Sequence, residues 1–481
     1  MEIFCLLAFL LITFIPLSVF ATPSNYTYNY DFWEEQVASP DAYRVSAYIL
    51  GSHLGLDNFR EPQGLFIKED RIYVCDSGNN RIVVLRALED GEHEVINIVS
   101  SVVIDGVVSN FSYPMDLFEC RDGFIYIADT NNQRVLKLDN DWNYILSFVR
   151  PVDESIDDFV EFHPLKLVVD FANRLFVQVR HVNKGLMEFD SRGVFTGYIG
   201  ANRVVFKYID YIWKLLSTQA QRERMELFIP TEYSSISLDH EGFIYVTNST
   251  SWEVDPVRRL NAMGQDILIR NGYNNPVGDI VFGAAGNITG RSRFIAVTSF
   301  LNDSYACFDR TRGRIFMYDF QGNLLYAFGG VGNREGNFLM PVALGNMGYT
   351  LYALDARTTA ITRFDLTSYG QKINDALNEY RAGRYESSAV IWEEVLKMNG
   401  NYDLAYIGIG RAALRQGQYQ KAMEYYKLKH FREGYGKAFQ LYRKQWMEEN
   451  LWKILLVISL VILVPIVVKS SIKLIKEIKD A

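Results

Sequence analysis

Eight side chains able to pair charges, donate amide hydrogens or accept backbone N–H groups recur at one spacing. Asp76 is followed by Asn79 and Arg81, Asp129 by Asn132 and Arg134, and Asp309 by Arg314. A carboxylate with a guanidinium five residues on can close a charge-assisted pair across a turn, while its remaining lone pairs accept N–H groups of the loop. A lone Asp loop supplies far fewer than the roughly six to eight oxygens that a calcium ion takes. The set therefore reads as structural: Asp76, Asn79, Arg81, Asp129, Asn132, Arg134, Asp309 and Arg314 staple turns, and no catalytic residue, ligand-binding residue or metal ligand is assigned. No GxSxG, phosphate loop or paired-carboxylate signature occurs, and the six His (53, 93, 163, 181, 240 and 430) stand at no metal-ligand spacing.

The segments that must hold these side chains repeat with them. "YVCDSGNNRIVVLR" (73–86) and "YIADTNNQRVLKLD" (126–139) each place the motif between two strand-like runs. Phe59-Arg-Glu-Pro62, Phe111-Ser-Tyr-Pro114 and Phe338-Leu-Met-Pro341 each lead into an apolar strand. Asp190-x-x-Gly193, Asn261-x-x-Gly264 and Asp319-x-x-Gly322 have the composition of tight antiparallel turns. One unit thus reads as four short antiparallel strands, and units begin near 62, 114, 164, 233, 294 and 341, the period of propeller blades. "AYILGSHLGLDNFREPQG" (47–64) is similar to "LYAFGGVGNREGNFLMPVA" (325–343), so the strand Arg44 to Leu50 is expected to supply the outer strand of the last unit. Such closure removes two unpaired sheet edges.

The Phe-x-x-Pro lead and the Asp-x-x-Asn-x-Arg-Ile/Val core resemble NHL repeats. That resemblance spans residues 43–366 and implies a six-bladed β-propeller, weakest in the third and fourth units, where Gln178 and Asn248 stand near the Asp position. Residues 201–230 interrupt the repeat with helical spacing at Ile212, Leu215 and Leu216, read as an amphipathic insertion over a propeller face. Propeller enzymes of the gluconolactonase type gather acidic and amide side chains around an axial divalent ion, a set that maps onto no residues of this sequence.

From residue 370 the apolar period changes from 2 to 3.6. Gly383 and Gly417, Tyr385 and Tyr419, Ser388 and Ala422, and Trp392 and Tyr426 are each 34 positions apart. With Tyr406, Ile409 and Gly410 they resemble a pair of tetratricopeptide repeats over 370–450, closed by a capping helix over 428–450.

Both ends are apolar. Residues 1–21 read as a signal peptide, with an uncleaved anchor as the alternative because Glu2 stands where a basic start is usual. Leu451 to Val468 is just long enough to cross a bilayer, and the basic tail 469–481, with Lys469, Lys473, Lys476 and Lys479, places the C-terminus in the cytoplasm. The total charge of −8 divides into −14 over residues 1–369 and +3 over each of 370–450 and 451–481. An acidic propeller excludes a nucleic-acid ligand, which needs a basic face. Cys75, Cys120 and Cys307 contain no CxxC; buried free thiols are expected for Cys75 and Cys307, and a disulfide among the three stays open.

The sequence therefore describes a mainly β protein: a six-bladed propeller, a small tetratricopeptide-like helical segment and one transmembrane helix. It is expected at the cell membrane as a single-pass protein with propeller and helical repeats outside. A binding or scaffold role follows, with the propeller presented for protein or small-ligand recognition and a protein partner on the tetratricopeptide-like segment or propeller face; similar architectures suggest an accessory subunit of a transport or export system. No cofactor is expected. A divalent metal enters only under the alternative, a metal-dependent lactonase or lyase.

Overall fold

Strands dominate residues 43–366 because their runs are rich in β-branched and aromatic residues broken at Gly, Asp and Asn turns. The computed structural model describes residues 27–156, 160–201, 232–248, 255–272, 275–280 and 290–480. The expected signal peptide (1–21) and all of the expected helical insertion except Ala201 lie outside the described residues.

The first blade runs Gly64–Lys68, Arg71–Asp76, Arg81–Ala87 and His93–Val99, every pair antiparallel. The second runs Pro114–Glu119, Ile125–Asp129, Arg134–Leu138 and Tyr144–Phe148, and the third Pro164–Val169, Leu175–Val179, Leu186–Phe189 and Phe195–Ile199. Phe294–Ser299, Tyr305–Asp309, Arg314–Tyr318 and Leu324–Val331 form another. In the last blade, Pro341–Met347, Thr350–Asp355 and Ala360–Leu366 are completed by the N-terminal strand Tyr43–Leu50, with Phe364 opposite Val45 and Ile361 opposite Ile49. The ring is closed where the sequence similarity placed the closure. The first strands of successive sheets line a common axis.

The described residues hold five full blades, not the six expected. Between the third and the next full blade stands a three-stranded sheet, Tyr233–Leu238, Ile244–Asn248 and Val257–Leu260. Its missing outer strand has a local cause. After the Asn261 to Gly264 turn, Leu260 and Asp266 form one isolated bridge. The Asp266 carboxylate then accepts the backbone N–H of Arg259 (3.2 Å), a donor that the next rung would use, and also that of Leu268 (3.1 Å).

Second strands are buried on both faces, as in Ile125–Asp129 and Tyr305–Asp309, because each blade is wedged between two others. The core is accordingly a set of apolar wedges, such as Ile72, Val74 and Val83 against Tyr352, Leu354 and Ile361. Full burial of one such aliphatic side chain contributes about 1.5–3 kcal/mol.

Thr367 caps the first helix, its Oγ1 accepting from Gly370 N at 3.2 Å. Five helices follow: α1 (Ser368–Arg381), α2 (Tyr385–Met398), α3 (Asp403–Arg415), α4 (Tyr419–Leu428) and α5 (Arg432–Asp480). The pairs 34 apart occupy equivalent places. Gly383 and Gly417 both have positive φ in the interhelix turns, Ser388 and Ala422 are both fully buried, and Trp392 and Tyr426 lie over Gly408 and Gly410. The helices seat on the propeller through Tyr402 Oη, which donates to Leu325 O (2.8 Å), and Arg381, which donates to Asn302 O (2.9 Å). One described helix, α5, is long and apolar enough to cross a membrane, with a mean hydropathy of 2.8 in its most apolar window and none of that window buried.

Candidate functional site

The repeat motif is placed on turns by its own chemistry. Asp76 ends a second strand, and its carboxylate accepts from Arg60 N (2.7 Å), Asn79 Nδ2 (2.8 Å) and Arg81 Nε (2.7 Å). Asp129 repeats this with Ser112 N (2.8 Å), Asn132 Nδ2 (2.8 Å) and Arg134 Nε (2.8 Å). Arg60 and Ser112 each follow the Phe of a Phe-x-x-Pro lead, so the two halves of the repeat are bonded to one another. Asp355 accepts from Leu339 N at 2.7 Å in the same manner, with no Arg at the fifth position.

The third motif departs from expectation. Asp309 takes its bonds from Arg293 N (2.7 Å), Thr311 N (2.9 Å) and Ser292 Oγ (3.0 Å). Arg314 extends instead to Asp279 Oδ2 at 2.8 Å, where Arg312, Tyr28 and Tyr30 also converge. Burial raises the Asp309 carboxyl above the usual range. The Asp279 cluster was not anticipated; the one signal for it was an acidic residue inside the apolar run "PVGDIVFG". Tyr28 and Tyr30 belong to the hairpin Thr27–Tyr30 and Gln36–Ser39, which adds to the outer edge of the blade containing Arg314.

On the axis lies a cavity of about 150 Å³ lined by the inner strands of all five blades and of the three-stranded sheet. Its polar side chains are Asp116, Lys166, Ser235, Ser237, Thr298, Ser299 and Asn346. Lys166 Nζ stands 3.4 Å from Asp116 Oδ1 and donates to Gln63 O at 3.1 Å, which joins the first three blades. Asp116 also accepts from Leu167 N at 3.0 Å. Burial pushes the Asp116 carboxyl up, and Lys166 draws it back. One carboxylate already countered by a lysine is a poor ligand set for a divalent ion, which prefers several oxygens free of competing cations.

Away from the axis, His240, Glu241 and Asp303 bring ligand atoms within 4.8 Å of one another. Two guanidiniums occupy that place already: Arg259 lies 2.5 Å from Glu241 and 3.8 Å from Asp303, and Arg381 pairs with Asp303. His53, His93, His163, His181 and His430 do not join the cluster. The thiols of Cys75, Cys120 and Cys307 are buried and unpaired, and burial raises those of Cys75 and Cys307.

The NHL-repeat family profile matches residues 59–85, which span the first Phe lead, Asp76 and Arg81. A search of the curated proteins finds no match. Among solved structures, virginiamycin B lyase from Staphylococcus aureus is similar at 11% identity over 68% of this chain and 100% of its own, with a TM-score of 0.42. Hydrazine synthase from Kuenenia stuttgartiensis is similar at 11% identity over 65% and 97%, with a TM-score of 0.40. A putative gluconolactonase is similar at 10% identity over 71% and 98%, with a TM-score of 0.41. The chain carries an NHL repeat on a β-propeller fold.

Proposed function

We propose that this protein is a membrane-held binding module that presents its propeller and helical repeats outside the cell. The observation that carries this reading is the state of the axis. A cavity of about 150 Å³ lined by the paired Lys166 and Asp116 is smaller than the roughly 300–1,000 Å³ of small-molecule sites. Its lone, cation-paired carboxylate also speaks against the metal-dependent lactonase or lyase reading. Recognition then falls to the outer surfaces.

Two surfaces favour a protein partner. The hairpin Ser101–Ile104 and Val107–Asn110 leaves Val103, Val107 and Val108 58, 68 and 66% exposed, an apolar tip that water does not favour. The helices α1 to α4, whose 34-residue correspondence supports the tetratricopeptide-like reading, offer a second. We read Leu451 to Val468 of α5 as the single membrane span and 469–481 as its cytoplasmic tail, supported by an apolar surface none of which is buried in the protein. Residues 1–21 act as the export signal. An accessory role beside a transport or export assembly fits a propeller held at such a surface.

The test is cross-linking in intact cells followed by purification of the full-length chain. A second polypeptide should be recovered, and Val107→Asp with Val108→Asp should reduce it without lowering the melting temperature. A chain that cross-links to no partner would contradict the binding role.

A further inference from the structure

α5 runs on past the first residues of α4, and a groove of about 490 Å³ opens at the overhang. On one side lie Gln418, Tyr419 and Lys421; on the other, Tyr442, Trp446 and Glu449 of α5. We propose that this groove holds a phospholipid headgroup of the leaflet that α5 enters, an inference resting on the membrane-spanning reading of α5.

Position selects the occupant. α5 is helical without a break from Arg432 to Asp480, so height along it is fixed by helical rise. Trp446 stands five residues before Leu451, roughly 7.5 Å above the apolar run at about 1.5 Å per residue. The headgroup region of each leaflet is roughly 5–8 Å deep. Glu449, roughly 3 Å above the apolar run, and Trp446 thus place the lower end of the groove among the headgroups, while Tyr442, roughly 13.5 Å up, forms its outer end.

Its chemistry suits that level. Trp446 is 46% exposed and Trp452 62%, the amphipathic rings that belong at a membrane interface. Tyr442 is held in the groove by Gln420 Nε2, which donates to its hydroxyl at 3.0 Å. Lys421 is exposed and offers a cation to a phosphodiester, while Trp446 and Glu449 suit an ammonium group. A headgroup bound here would fix the base of the helical repeats against the bilayer surface.

The full-length chain, with Cys5→Ser and its three buried cysteines retained, is labelled with a fluorophore at Gln418→Cys or at Leu428→Cys. Leu428 lies at the far end of α4 and is 62% exposed, roughly 15 Å from position 418 along that helix. In vesicles containing phospholipid spin-labelled on the headgroup, quenching should be strong at position 418 and weak at 428. Equal, weak quenching in a protein that resists carbonate extraction would overturn this inference alone; release by carbonate would overturn the membrane span and this inference together. Phospholipid retained through detergent purification, measured by mass spectrometry, should be lost in Lys421→Glu with Trp446→Ala at an unchanged melting temperature. Unchanged retention, or a bound peptide in place of lipid, would likewise overturn it.

Discussion

Lys166 and Asp116 meet beside the propeller axis on the inner strands of neighbouring blades, with Nζ 3.4 Å from Oδ1 and both side chains nearly enclosed. Lys166→Met should remove the partner of a buried carboxylate and destabilise the fold by about 3–5 kcal/mol at neutral pH. The Asp116 carboxyl already titrates above the usual range because of burial, and Lys166, together with the Leu167 and Leu117 N–H groups, draws it back. Losing Lys166 raises it further, so the variant's deficit should shrink as pH falls into the carboxylate range and the folded state binds the proton. Thermal melts across pH check both statements; a deficit that does not vary with pH would contradict them.

Asp129 and Arg134 test the repeat staple. Asp129 is fully buried, and Arg134 Nε lies 2.8 Å from it. Either residue changed to Ala should cost roughly 3–5 kcal/mol because the remaining group is left without its counterion. A double-mutant cycle should give a coupling of about 0.5–3 kcal/mol. Additive effects in denaturant unfolding would show that the two act separately.

His93 should shape the acid limb of stability. Burial and the nearby Arg363 push its pKa down to about 4, so the folded state holds it neutral where the unfolded chain takes up a proton. Its contribution is present above the ordinary His range, about 6.5, and is lost as pH falls from there toward about 4. His93→Gln should flatten stability over that window, as read by melts at closely spaced pH.

Ring closure rests on the strand Tyr43–Leu50. A chain beginning at Gly51 should lose the outer edge of the last blade, melt at lower temperature and associate through the exposed strand. Sedimentation and a thermal melt decide this; an unchanged midpoint with monomeric behaviour would contradict closure through that strand.

The local parts of this fold were legible because their signals are short in sequence. Asp76 to Arg81 and Asp129 to Arg134 pair across five residues, and the closing strand announced itself by its likeness to the chain ahead of Phe338. Non-local partners were not legible. Arg314 reaches Asp279, 35 positions earlier, and Lys166 reaches Asp116, 50 positions away, so no spacing rule exposes either. The count of full blades failed at Asp266, whose side chain takes the Arg259 N–H, a donor that an alternating apolar pattern treats as free for a ladder.

Metal should be dispensable to the folded state. A tightly held ion would add about 2.7 kcal/mol at a hundredfold excess over Kd. Metal analysis should find no stoichiometric ion, and chelator should leave the melting temperature unchanged. One ion per chain with a large chelator-induced drop would favour the lactonase or lyase reading.

Membrane topology tests the central claim most directly. Protease is added to intact cells or spheroplasts expressing the full chain, and fragments are followed with antibodies to the propeller and to residues 469–481. We predict that the propeller and helical repeats are digested while a membrane-embedded fragment carrying Lys469 to Ala481 survives. A protected propeller, or a tail digested together with it, would contradict a binding module held outside the cell by α5.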